Sequence, residues 1–168
     1  MAEIKFRGNP IHTAGNLPAV GSKAPDFKLT KADLGDVGLK DYAGKTVILN
    51  IFPSIDTGVC ATSVKKFNEQ ASQLPNAVVV GVSRDLPFAH KRFCGAENID
   101  KVQGASAMRD DSFARGYGVT MTDGPLAGLF SRAVVVIDGQ GKVVYAEQVP
   151  EITQEPDYAK AVEAAKRA

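Results

Sequence analysis

Three runs in this chain are apolar at nearly every position: Thr46–Phe52, Ala77–Val82 and Ala133–Ile137. A strand wetted on one face alternates apolar and polar residues, whereas a short continuous apolar run marks a strand covered on both faces. Such strands need a packed layer on each side, which narrows the choice to a sheet held between helices. Helical patterns fall between and after the runs. Residues 60–74 place Val64, Phe67 and Ala71 on one face. Pro87 suits a first helical position, Phe88–Cys94 continue that helix and Gly95 is the expected stop. A short helix is predicted over 111–117 and an amphipathic one over 157–167. Asp138-Gly139-Gln140-Gly141 turns the third run back into Lys142–Ala146 as an antiparallel hairpin.

Strand, helix, strand, helix, then a strand hairpin and a last helix is the element order of a thioredoxin-like fold. The class is α/β: a central mixed β-sheet flanked by helices. Before this core, Ile4-Lys5-Phe6, a turn at Gly8-Asn9-Pro10 and Ile11-His12-Thr13 predict an added N-terminal β-hairpin, an extension covering residues 1–20. Residues 26–30 and 102–105 read as short strands. With 168 residues and no repeat or linker, the chain is expected to form one domain over 1–168. A net charge of +1 offers no field for nucleic acid or an anionic membrane. No apolar stretch reaches the roughly 18 residues of a membrane span. Met1–Gly8 lacks the apolar centre of a signal peptide, so the cytoplasm is the expected location.

The chemistry concentrates where the first run ends. Pro53-Ser54-Ile55-Asp56-Thr57-Gly58-Val59-Cys60 joins that strand to the following helix and delivers a cysteine to its first turn. Backbone N–H groups there lack intrahelical partners, and the helix dipole adds partial positive charge. Both favour thiolate, the nucleophilic form of a group whose free pKa is ~8.5. Pro53 fixes φ, removes a donor and can shield the thiolate. Thr57 can face the sulfur or cap the helix. Cys94 is the second of two cysteines, too few for a disulfide scaffold or a zinc cage. No cysteine stands at C-x-x-C spacing from Cys60, so dithiol exchange at that turn is excluded.

Pro53, Thr57 and Cys60 form Pro-x-x-x-Thr-x-x-Cys, which resembles the active-site motif of the peroxiredoxins. Phe52–Cys60, Arg92–Glu97, Asp123–Leu126 and Arg132–Asp138 together resemble the bacterial thiol peroxidases of the Tpx type, the atypical two-cysteine branch. The resemblance covers nearly the whole chain. It implies a peroxidase that reduces hydrogen peroxide and alkyl hydroperoxides. Cys60 would be the peroxidatic cysteine and Cys94 the resolving one, closing a disulfide within the chain. Thr57 would hydrogen-bond thiolate and peroxide, and Arg132 would stabilise the thiolate and the transition state. The resemblance further implies thioredoxin as reductant, a homodimer, and no cofactor or metal. If both helices persist in the reduced protein, one helix end must unwind for the sulfurs to meet.

Plainer readings stand beside these. Cys94 can be a buried structural thiol, Arg132 a strand-flanking cation and Thr57 only a cap. His12 lies in the hairpin, and His90 lies on a surface-like helix stretch. Neither is tied by sequence to Cys60. Lys65-Lys66 and Lys91-Arg92 read as solvated helix faces, and Asp110-Asp111 as a helix cap. Leu126 and Leu129, around the loop 124–128, would suit alkyl chains bordering the pocket. The rival function is a redox sensor that uses the same disulfide to pass oxidation to a partner.

Overall fold

In the computed structural model, the described residues are 1–71 and 73–168. Strands β1 (Glu3–Phe6) and β2 (Asn9–His12) form a separate antiparallel hairpin. The other strands are β3 (Lys28–Lys31), β4 (Asp36–Gly38), β5 (Thr46–Ile51), β6 (Ala77–Ser83), β7 (Val102–Ser106), β8 (Ala133–Ile137) and β9 (Val143–Gln148). They form one sheet in the order β4-β3-β7-β6-β5-β8-β9. The three apolar runs become β5 with its two neighbours, β6 and β8. β5, β6 and β7 run parallel, while β8 and β3 are antiparallel to their partners, so the sheet is mixed as the element order implied. The fold is thioredoxin-like, with an added hairpin.

The helices are α1 (Gly58–Ala71), α2 (Pro87–Ala96), α3 (Ser112–Tyr117) and α4 (Tyr158–Arg167). Period-2 alternation along the central strands feeds two cores. Ile48, Phe52, Val79, Val134 and Val136 pack with Val64 and Phe67 of α1, Phe93 of α2 and Ala161 of α4. Val47, Leu49, Ile51, Val80, Val135 and Ile137 point the other way, into a layer built on Phe27, Phe113 and Tyr117. Burying each such side chain stabilises the fold by about 1.5–3 kcal/mol, which is why these runs are apolar at nearly every position.

Several boundaries differ from expectation. The hairpin turns at Arg7-Gly8, both left-handed (φ 51° and 83°), and Asn9 and Pro10 belong to β2. A two-residue turn with positive φ at both positions matches strand twist, and Pro10 is tolerated because its missing donor lies on a hairpin edge. Helix α1 starts two residues before Cys60 and runs to Ala71; Ser72, inside the expected helix, lies outside the described residues. Gly95 does not stop α2, which continues to Ala96, and the left-handed residue beyond it is Asn98 (φ 55°). Asp157 caps α4 by accepting from the Lys160 amide at 3.0 Å. β4 and a 3₁₀ turn at Leu39–Tyr42 were not anticipated, because segments of three and four residues carry no readable period.

The hairpin is fastened to the segment after β9. The Lys5 amide donates to the Pro150 carbonyl (2.8 Å), and the Ile152 amide donates to the Lys5 carbonyl (2.9 Å). Ile4, Ile11, Met121 and Ile152 form a small core of their own beneath it.

Candidate active site

β5 ends at Ile51, yet the Phe52 amide still donates to the Val82 carbonyl (3.1 Å), so the chain leaves the sheet at buried Pro53. A tight turn follows. The amide and the hydroxyl of Thr57 both donate to the Ser54 carbonyl, at 3.2 and 3.0 Å. The Ala61 amide donates to the Thr57 carbonyl (3.0 Å) and opens α1. Cys60 is therefore in the first helical turn, as expected, and it is fully buried. Thr57 is exposed and gives its hydroxyl proton to Ser54.

Polar groups fix that turn from below. The Ser63 hydroxyl donates to the Cys60 carbonyl (2.8 Å), and Asn50 Nδ2, from the middle of β5, donates to Ser63 Oγ (3.2 Å). Asn50 is the one polar residue between Val47 and Phe52, and this bond gives its amide a buried partner. From above, the Asp85 carboxylate accepts from the Ser54 hydroxyl and the Ile55 amide, both at 2.8 Å.

Arg132 immediately precedes β8, whose Ala133 pairs with Ile51, the last residue of β5. The guanidinium thus lies at the sheet end that releases Pro53–Cys60. It is only 2% exposed, so the surface-cation reading is wrong. Its Nε donates to the Ile152 carbonyl (2.9 Å), while Nη1 is buried without a hydrogen-bond partner. Tyr158 packs against the core cluster that contains Cys60, its ring edge-on to Phe67 at 5.1 Å. The Tyr158 hydroxyl donates to Glu155 Oε1 (2.9 Å), and Lys66 pairs with the same carboxylate (3.0 Å). Those bonds, Lys66 first and then Tyr158, hold the Glu155 carboxyl below its ordinary range, with a further contribution from Arg132.

Cys94 lies near the end of α2, half-buried, and burial pushes its thiol up. It lines a cavity of about 270 Å³ with His90, Lys91, Gln103 and Gly104. Both cysteines are free thiols. Arg92, two residues before Cys94, reaches back to Asp56 (2.7 Å), an exposed pair of small energetic value.

The two histidines fall in opposite environments. His90 is 2% exposed, not on a surface face, because α2 turns that side onto β7. His12 Nδ1 meets Asp123 Oδ2 at 2.6 Å on the surface. The Asp123 hydrogen bond raises the His12 pKa above 6.5, whereas burial lowers that of His90 below 6.5, with Asp85 opposing. An NMR titration is expected to show the His12 midpoint above, and the His90 midpoint below, that value. Equal midpoints would contradict the burial assignment. The signs for stability follow. The His12 contribution is complete below 6.5 and fades as pH rises through its folded pKa. The matching Asp123 contribution is present above 3.8 and fades on acidification. The buried neutral His90 costs stability as pH falls below 6.5.

Of the residues expected from sequence, Pro53, Thr57 and Cys60 lie on the turn that leaves β5, Arg132 precedes the strand paired with its end, and Cys94 lies on α2. The polar groups Asn50, Ser63, Asp85, Glu155 and Tyr158 were not anticipated. An isolated Asn in an apolar run was the one visible signal. Leu126 and Leu129, partly buried, pack against the hairpin core of Ile4 and Ile11. Of the expected caps, Asp110 accepts from the Ser112 amide (2.8 Å), while Asp111 makes no such bond.

Comparison with known proteins agrees with this geometry. The redoxin family model matches residues 19–162. The thiol peroxidases of Mycobacterium tuberculosis and Mycobacterium bovis are 58% identical to this chain over 164 residues, covering 98% of it and 98% of each relative. A crystal structure of a peroxiredoxin-like protein from Aquifex aeolicus superposes with a TM-score of 0.93 at 39% identity, covering 98% of this chain and 96% of that one. The thiol peroxidase from Chromobacterium violaceum shares the fold, with a TM-score of 0.90 at 18% identity over 98% and 95% of the two chains. With a relative this similar along almost its whole length, the chain belongs to the redoxin family and, within it, to the bacterial thiol peroxidases, enzymes of the peroxiredoxin type.

Proposed function

We propose that this peroxidase works through Cys60 as attacking thiolate, Cys94 as resolving thiol and thioredoxin as reductant, on hydrogen peroxide and alkyl hydroperoxides. The observation that carries the reading is the unpartnered Arg132 Nη1, buried at the sheet end where Cys60 enters α1. A buried donor left without an acceptor costs about 1–3 kcal/mol. A thiolate or a peroxide oxygen is the acceptor that would relieve it.

The thiolate attacks the terminal peroxide oxygen: an S–O bond forms, the O–O bond breaks, and the leaving oxygen takes a proton to become water or alcohol. Charge grows on that oxygen, where a fixed cation stabilises it. Thr57, already exposed three residues before Cys60, turns its hydroxyl from Ser54 towards thiolate and substrate. Pro53 keeps the loop shaped and dry. Because Cys60 is covered, the loop 53–57 must open for substrate to enter. Cys94 then attacks the sulfenic sulfur, closing the disulfide and releasing water, and two electrons from a thioredoxin dithiol reopen it. The raised Cys94 pKa suits a thiol that acts second. Disulfide closure draws on remodelling of the turn after Thr57 and of α2 around Cys94. The reading takes 1–168 as one working unit, in a homodimer, in a reducing cytoplasm with no cofactor or metal.

The test is peroxide reduction coupled through NADPH, thioredoxin reductase and thioredoxin. Multiple turnover is expected for the native protein. Cys94→Ser should consume about one equivalent of peroxide and then stall, and sustained turnover by that variant would remove Cys94 from the cycle. No turnover, with a stable mixed disulfide to one protein, would point to a redox sensor instead.

A further inference from the structure

A continuous chain of hydrogen bonds joins the helix carrying Cys94 to the loop carrying Cys60. It begins at His90, one helical turn before Cys94 on α2. The ring is fixed in a socket: it lies against Phe52 (6.1 Å between centroids) and over Gly104, where an added Cβ would come within 2.8 Å of Nδ1. His90 Nε2 meets Ser83 Oγ at 3.0 Å. Ser83 Oγ donates to Asp85 Oδ2 (2.5 Å) and accepts from the Asp85 amide (3.2 Å). A hydroxyl has one proton, and a carboxylate can only accept. Ser83 therefore gives its proton to Asp85, and His90 must donate from Nε2 to the remaining lone pair. Asp85 passes the constraint on to the Ser54 hydroxyl and the Ile55 amide, both at 2.8 Å. Its carbonyl is pinned in turn by the Ser106 hydroxyl at 2.5 Å. Ser54 then holds Thr57 through its carbonyl, and Thr57 opens α1.

We propose that Asp85 is the positioning residue of the Cys60 loop, and that His90, through Ser83, makes opening of α2 and loosening of that loop one cooperative event. The proposal deepens the redox-pair reading of Cys60 and Cys94 and rests on it for its purpose, though not for its physics. In an α-helix the Cys94 amide bonds the His90 carbonyl. Unwinding that frees Cys94 removes this bond and loosens the turn that holds His90 against Ser83. Ser83 then loses a partner, and the set of bonds through which it holds Asp85 is left incomplete in a buried network, where that is costly. The loop loosens when, and because, the helix does. Two segments that must both move to form one disulfide are thereby prevented from moving separately.

Hydrogen exchange on the reduced protein tests this. Ser83→Ala, a small change that cuts the chain at its middle, and His90→Phe should each lower protection at residues 54–60 by about tenfold. Strand amides at 46–51 and 133–137 should keep theirs, which reports an intact fold. His90→Gln, which can offer a donor to Ser83, should restore most of the loss. Asp85→Asn and His90→Phe should be non-additive, because both act on one chain. Unchanged protection at 54–60 in both single variants, or full additivity in the double variant, would overturn the proposal. The measurement needs no peroxide. A failed coupled assay would leave it standing, and its own failure would leave the assay result standing.

Discussion

Cys60→Ser is expected to bring coupled peroxide reduction down to the rate of the reaction mixture without protein. Enzymes commonly gain about 10⁶-fold or more over the uncatalysed reaction, and in the proposed mechanism all of it passes through one sulfur. Serine nearly keeps the shape and stays protonated at neutral pH, but it puts a hydroxyl into the apolar cluster around position 60. Stability by urea titration should fall by about 1–3 kcal/mol, the cost of burying a hydroxyl without a partner, with the transition still cooperative. Loss of turnover in a protein that still unfolds cooperatively separates chemistry from folding. Turnover that persisted in this variant would move the reactive centre elsewhere.

Arg132→Gln is the second large effect. Removing one preorganised group that stabilises developing charge typically costs about 10²–10³ in rate, and kcat/KM for peroxide should fall by that order. Arg132→Lys should recover part of the rate, since it keeps the charge but not the planar fork that uses Nε for Ile152 and leaves Nη1 free. Equal rates for the native protein and the Gln variant would reduce the buried guanidinium to a support for the 148–152 segment.

The strand that hands Cys60 to a helix was legible because period, proline and helix pattern are all local. The central sheet was legible for the same reason, and the mixed sense of its strands followed from element order and connection rules. What the sequence hid was the polar clamp around the turn. Asp85 reaches Ile55 across 30 positions, Asn50 reaches Ser63 across 13, and Arg132 leans on a carbonyl 20 residues on. No spacing rule ties such partners together. The burial of His90 was hidden too, since its neighbours Lys91 and Arg92 are exposed and only the helix's rotation over Gly104 decides which residue faces inward.

The N-terminal hairpin has a role that its distance from the cysteines conceals. Lys5 grips the backbone on both sides of Glu151, and the Ile152 carbonyl is what Arg132 Nε rests on. The hairpin therefore works as a shim, and its register sets the seat of the guanidinium. A slip of one residue in β1 would turn its pairing groups away from the segment 150–152. Any change that trims, tags or reseats the first dozen residues is thus also expected to shift the seat of the Arg132 guanidinium.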